Sequence, residues 1–371
     1  MEQKKGLRDV IAGNTALCLL DEKNRKLYYR GYAIEDLATS RRFEDVAHLL
    51  LVGELPVGST GLEKPDYRLP DTVLHTLWEQ NRSAHPMDVL GTLVRVMGNE
   101  YPAKDAAADA HHYDMTAARI LIDNIGYLVG LMKREAGQEK PLPKGRRCKG
   151  LAADILYQMS GREPDDFEAR LMDVALVLYA EHEFNASSFA VRIAASAHTD
   201  IFSAVVAGIG TLRGSRHGGA NEEAMYMMLA IGDPANVRAY LDAYFSKPAA
   251  RLPGFGHAVY TQGDPRVPIM RPYVQELSRR KGDMRWYEIC VALEEYMAER
   301  ASEKNRGIPA NIDLWTAPLY YLMNIPTPLY TPLFAASRIA GWCAHYLEVR
   351  HVNKEAIIRP RAQYVGAEPR T

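Results

Sequence analysis

The 371-residue chain has only four cysteines, Cys18, Cys148, Cys290 and Cys343, far apart and without C-x-x-C spacing. Neither a zinc knuckle nor a disulfide framework is suggested, and reduced thiols in a cytoplasmic protein are expected. The chain also lacks net charge: Lys+Arg 45 against Asp+Glu 46 leaves -1. That excludes binding to nucleic acid or to a membrane surface by bulk attraction, so an anionic ligand must be held by a few placed arginines. The first twenty residues contain no apolar stretch of signal-peptide length, and no later run reads as long and apolar enough to span a bilayer. Internal repeats and low-complexity segments are missing too.

What the chain has is size and a core. At 371 residues, with 47% hydrophobic side chains, it exceeds the range in which a single core keeps growing. One large domain with a smaller one inserted or appended is expected. TALCLL and KLYYRGY, separated by DEKNR, read as a small hairpin and as the only sheet of note. From Ile34 onward the periodicity is helical. Phe43, Val46, Ala47, Leu50 and Leu51 lie on one face of a helix that stops at Gly53 and Pro56. Helices are expected around Val73–Trp78, from Pro86, over Met115–Lys133 and over Leu151–Met159. Another opens at the capping-box pair Asp165 and Glu168. Further helices are expected at 203–212, from Asn221, at 236–245, 269–280, 284–303 and 319–323, and along TPLYTPLFAASRIAGWCAHYLEVR.

Arg251–Arg266, RLPGFGHAVYTQGDPR, is different. Its density of Gly and Pro suits neither helix nor central strand, so it reads as an ordered loop, with Gly254 and Gly256 free to adopt positive φ just before His257. Three other segments present ionisable groups. His182 lies in HEFNAS, His217 lies at a helix boundary before Gly218-Gly219, and Asp313 lies in NID beside Trp315. Zinc is the first rival reading. His182-Glu183 lacks the second histidine of H-E-x-x-H, however, and the other histidines are not at ligand spacing, so no metal is expected. Arg266, Arg338 and Arg359 offer forked cations suited to carboxylates. A carboxylate base with histidines able to donate to oxygen matches proton abstraction beside a carbonyl.

These segments together resemble the citrate synthases and 2-methylcitrate synthases. The resemblance runs through GNTALC, YYRGYAIEDLA, FEDVAHLLLVGELP, HPMDVL, LYAEHEFNASSF, GSRHGGANE, GFGHAVY with DPR, NID, TPLFAASRIAGWCAH and IIRPRAQYVG, in that order. It implies an all-α, two-domain homodimer with a small N-terminal β-hairpin. Such an enzyme condenses oxaloacetate with a short acyl-CoA and then hydrolyses the thioester, with no permanently bound cofactor and the acyl-CoA as substrate. On the matching motifs Asp313 is the implied base, His217 the donor to the enol oxygen, and His257 the group that protonates the oxaloacetate carbonyl. His182, Arg266 and Arg338 are the implied oxaloacetate ligands, with Arg359 reaching the neighbouring subunit's substrate. Leu252, Pro253, Gly254, Phe255, Gly256 and Asn311 are the implied CoA-binding residues, and Lys304 and Arg306 are the candidates for its phosphates.

The implied division is a large domain of residues 1–217 and 317–371 and a small mobile domain of residues 218–316. Where many members read YPN-V-D-F-Y-S, this chain reads PAN-I-D-L-W-T, which leaves the aspartate but alters its surroundings. LYAEHEFNAS and GNTALC resemble the 2-methylcitrate branch more closely, which leans the acyl donor towards propionyl-CoA. The alternatives are an acetyl-CoA-specific citrate synthase and, from another class, a non-catalytic helical scaffold.

Overall fold

The structure is a computed structural model describing residues 10–58, 61–80, 83–102, 109–142, 150–246, 251–304 and 307–368; the side chains of Glu303 and Lys304 also lie outside the description. Near the N-terminus, β1 (Cys18–Asp21), β2 (Lys26–Tyr29) and β3 (Tyr32–Ala33) form an antiparallel three-stranded sheet, with Cys18 opposite Tyr29 and Tyr29 opposite Tyr32. The expected hairpin therefore gains a short third strand. The helical stretch from Ile34 is two helices, α1 (Ile34–Ser40) and α2 (Phe43–Val52), broken at Arg41 and Arg42.

The following helices are α3 (Asp71–Glu79), α4 (Pro86–Glu100), α5 (Ala110–Ala136), α6 (Leu151–Ser160) and α7 (Asp166–Tyr179). The capping box is present: Asp165 accepts from the Glu168 amide, and Glu168 accepts from the amide of Asp165. α5 is longer than expected, and by length and composition it is apolar enough to cross a membrane. In the fold 78% of its most apolar window is buried, because it packs against α6 and the last long helix, as a core helix does.

α8 (Ala186–Ser196) has no counterpart in the sequence expectations. It is rich in Ala and Ser, and Asn185 caps it by accepting from the Ser188 amide. α9 (Ile201–Leu212), α10 (Ala220–Ile231), α11 (Val237–Phe245), α12 (Val267–Lys281) and α13 (Arg285–Lys304) follow near their expected positions. α14 (Ile312–Leu322) begins seven residues earlier than periodicity suggested, so Asp313 stands in the first turn of a helix and not in a loop. Every residue of α15 (Tyr330–Leu347) is buried, in contact with α2, α5, α7, α8 and α9. A turn of π-helix (Glu348–Val352) and an extended tail finish the described chain.

Close packing behind α15 explains one of its glycines. An added Cβ at Gly341 would strike the Glu181 carboxylate and lie 2.5 Å from the carbonyl of Ala180, next door to His182. Gly341→Ala is expected to cost about 1–3 kcal/mol of stability through overpacking, read as a lower midpoint of thermal or denaturant unfolding. An unchanged midpoint would show that the wall behind His182 yields.

Candidate active site

The loop Arg251–Arg266 is built as its glycines require. Gly254 and Gly256 both have φ of 78°, and a Cβ at Gly254 would lie 2.9 Å from Cβ of Leu314. The loop is laced to the start of α14. Phe255 forms a β-bridge with Ala310, the Gly256 amide donates to the Pro309 carbonyl at 2.8 Å, and the Asn311 amide donates to the Gly254 carbonyl at 2.9 Å. Asn311 also donates from Nδ2 to the Gly256 carbonyl at 2.8 Å, and its Oδ1 accepts from the Asp313 amide at 3.0 Å. The GFGH loop and the NID turn are therefore one unit.

This unit forms one wall of a cleft of about 760 Å³. Asp313, His182, His217, His257, Arg266 and Arg338 all line it, together with Leu252, Pro253, Gly254, Phe255, Gly256 and Asn311. Asp313 Oδ1 accepts from the hydroxyl of Tyr179 at 2.5 Å, and that hydroxyl also bonds Thr316 Oγ1 at 2.7 Å. Burial raises the Asp313 pKa above the ordinary carboxylate value, although the Tyr179 hydrogen bond and the charges of Arg266 and Arg338 pull the other way.

His217 and His257 are held as neutral donors. The Ser187 amide donates to His217 Nε2 at 3.2 Å, and Ser187 Oγ lies 2.8 Å from the same nitrogen. An amide can only donate, so Nε2 accepts and the ring proton sits on Nδ1. The amides of Val259 and Tyr260 donate to His257 Nδ1 at 3.1 and 3.2 Å, which puts that ring's proton on Nε2. Burial first, and the nearby guanidinium second, push both pKa values down to about 4, with Arg338 acting on His217 and Arg266 on His257. His182 is lowered well below its ordinary value by burial and by Arg266. Its Nε2 lies 2.9 Å from the Tyr260 hydroxyl, and its ring stands edge-on to His257 at 4.9 Å.

The two buried arginines differ. Arg266 is committed to Asp264 through Nε at 2.8 Å and Nη2 at 2.7 Å, so it brings mainly its charge and its remaining Nη1 to a ligand. Arg338 donates from Nε to the Tyr179 carbonyl at 2.7 Å, and its buried Nη1 has no hydrogen-bond partner among the described residues. A buried guanidinium with an unmatched donor on a cleft has the chemistry that suits an anion. Arg359 is not in this cleft: it lies exposed on the tail beyond α15. Arg306 and the side chain of Lys304 lie outside the described residues.

Several partners escaped the sequence reading. Tyr179 on Asp313, Ser187 on His217, Tyr260 on His182 and Asp264 on Arg266 all set the state of a group that the motifs did name. Phe334 also lines the cleft, with its ring 4.5 Å from Tyr179 and 6.3 Å from His217. Tyr179, Ser187 and Tyr260 each stand within three residues of a quoted histidine or in the same motif, which was the available signal. Among the described residues no group of three or more His, Cys, Asp or Glu is placed to hold a metal ion. The arrangement offers one buried carboxylate, two imidazole N–H donors aimed by backbone amides, and two buried cations.

The family model for the citrate synthase C-terminal domain matches residues 6–361. A 2-methylcitrate synthase of Mycobacterium tuberculosis is 37% identical over 372 residues, covering 99% of this chain and 91% of the relative. A citrate synthase of Haloferax volcanii is 39% identical over 386 residues, covering 98% and 96%. Among solved structures, the citrate synthase of Pyrobaculum aerophilum aligns with a TM-score of 0.88 at 33% identity, covering 99% of this chain and 93% of that one. The ternary complex of carboxymethyl coenzyme A and oxaloacetate with the citrate synthase of Thermoplasma acidophilum aligns with a TM-score of 0.88 at 30% identity, covering 99% and 97%. With its fold and its sequence in agreement over nearly the whole length, the chain belongs to the citrate synthase family and is an acyltransferase of the type that converts acyl groups into alkyl groups on transfer.

Proposed function

We propose that the enzyme condenses oxaloacetate with a short acyl-CoA and hydrolyses the resulting thioester, with propionyl-CoA as the acyl donor, so that the product is 2-methylcitrate. The observation that carries the condensation is the meeting of Asp313, His217 and His257 around one cleft backed by Arg266 and Arg338. The bound carboxymethyl coenzyme A and oxaloacetate of the Thermoplasma relative support the same pair of substrates. The propionyl preference leans on LYAEHEFNAS and GNTALC. Relatives of both names occur at similar identity, which keeps acetyl-CoA as the second reading.

In this reading Asp313 takes a proton from the α-carbon of the thioester, and His217 Nδ1–H donates to the enol oxygen that forms. The α-carbon then bonds to the ketone carbon of oxaloacetate, whose oxygen takes the Nε2 proton of His257. Water attacks the thioester carbonyl and releases free CoA. His182, Arg266 and Arg338 hold the oxaloacetate. Leu252–Gly256 and Asn311 form the rim that meets CoA, with Lys304 and Arg306 as its phosphate partners.

Residues 218–316 act as a small domain that closes over the substrates. α10 to α14 pack chiefly on one another; α10 meets α15, where the Thr331 amide donates to Glu222 at 3.2 Å, and α12 meets α7, where Lys281 pairs with Glu168 at 3.0 Å. The active form is a homodimer in which Arg359 completes the partner's site. Arg359 is exposed on a tail that, with the π-turn before it, also exposes the apolar side chains of Val352 and Ile357, which fits a surface covered by a second copy.

Asp313→Asn should lower kcat about 10²–10⁴-fold with either acyl-CoA while oxaloacetate binding persists; turnover near the native rate would remove Asp313 as the base. The ratio of kcat/KM for propionyl-CoA to that for acetyl-CoA decides the donor, since one methylene in a pocket is worth about 1–3 kcal/mol. A ratio below one would favour citrate synthase. The scheme also needs uncharged imidazoles, so ¹³C-histidine NMR should show two rings titrating with midpoints near about 4. Because both pKa values are depressed by folding, their stabilising effect is whole above about pH 6.5, the unfolded value, and is lost as pH falls towards about 4. Midpoints near the ordinary histidine value would mean that the cleft is wet.

A further inference from the structure

A chain of buried charges runs behind the site and ends in the C-terminal tail. Glu181, immediately before His182, is fully buried, and its Oε1 lies 3.0 Å from His345 Nε2. His345 Nδ1 lies 3.0 Å from Arg192 Nη1; a guanidinium only donates, so Nδ1 accepts and Nε2–H donates to Glu181. Arg192, buried in α8, also donates from Nη1 to Glu348 at 2.5 Å, and from Nη2 to the Asn14 carbonyl at 3.1 Å and to Glu355.

Glu355 stands four residues before Arg359. Besides Arg192, its carboxylate accepts from Asn353 Nδ2 at 3.0 Å, and its amide donates to the Val349 carbonyl at 3.0 Å. Further along, the Ile358 amide donates to Ser196 Oγ at 3.0 Å. The tail is thus clamped to α8 at Arg192 and at Ser196. The other end of α8 supplies Ser187, which sets the tautomer of His217.

A desolvated arginine between carboxylates is a weak source of stability, and apolar side chains would hold a tail at least as firmly. What it imposes is direction, because guanidinium and carboxylate meet in few geometries. We propose that Arg192 and Glu355 are positioning residues that fix the tail so that Arg359 is presented to the neighbouring subunit's substrate. Through His345 and Glu181 they join that anchor to the wall carrying His182. The proposal rests on the reading of Arg359 as a ligand across a homodimer.

In the full-length enzyme, E355Q keeps the side-chain shape and leaves Glu348 to pair with Arg192. It is expected to raise KM for oxaloacetate about tenfold, with kcat within about twofold and the thermal midpoint unchanged. R359A should also raise KM, and the double variant E355Q/R359A should show no more than R359A alone, since both remove one contact. E355D should restore most of the affinity.

A native KM in E355Q beside a raised KM in R359A overturns the anchor and leaves the cross-subunit reading standing. Additive losses in the double variant also overturn it, marking Glu355 as a staple of the fold. A native KM in R359A sinks the cross-subunit reading instead, and amide exchange over residues 355–359 then judges the anchor. Faster exchange in E355Q upholds the tail clamp, and unchanged exchange overturns it.

Discussion

One buried carboxylate, Asp264, holds the 251–266 loop and the start of α14 together. Its Oδ1 accepts from the amide and Nε of Arg266 at 3.0 and 2.8 Å, and its Oδ2 accepts from Arg266 Nη2 at 2.7 Å and from the Ile312 amide at 3.1 Å. Burial works against its ionisation, but the charge and hydrogen bonds of Arg266 overcome that and keep its pKa below the ordinary value. An ion pair this enclosed persists only when both partners are satisfied. The Arg266 Nη1 contact to the Leu178 carbonyl at 3.5 Å extends the link to the end of α7, where Tyr179 reaches Asp313.

From that link the protonation states follow. The site sets two cations, Arg266 and Arg338, beside three histidines in a poorly solvated cleft, and both burial and like charge disfavour imidazolium. The rings stay neutral, and in His217 and His257 backbone amides decide which nitrogen carries the proton. The same burial raises Asp313, which makes it a stronger base than an exposed carboxylate, while the Tyr179 hydroxyl moderates the effect. One environment therefore keeps the imidazoles neutral and raises the carboxylate, the directions that the proposed proton transfer from carbon requires.

Most helices were legible because their apolar spacing and stop signals are strong, as at Gly53, Gly161 and the Asp165–Glu168 capping box. α8 was not: ASSFAVRIAAS has too few large apolar residues to give a periodic stripe, and its buried face includes the polar groups Ser187, Ser188, Arg192 and Ser196. The early start of α14 was hidden because Pro309 and Asn311 read as loop residues, whereas Asn311 is a cap. Arg266 was legible as a cation, but its commitment to Asp264 was not, since the pairing depends on how the loop folds back.

The sequence by itself determined the helical class, the separate polar motifs and their residue types, because these are local consequences of spacing, caps and turn chemistry. Only the tertiary structure decided that His182, His217, His257 and Asp313, up to 131 positions apart in the chain, share one cleft. It also decided which ring nitrogens donate, and that Arg359 lies away from its own site. Proton placement, desolvation and charge coupling depend on neighbours brought together by packing, and no single stretch of sequence contains them.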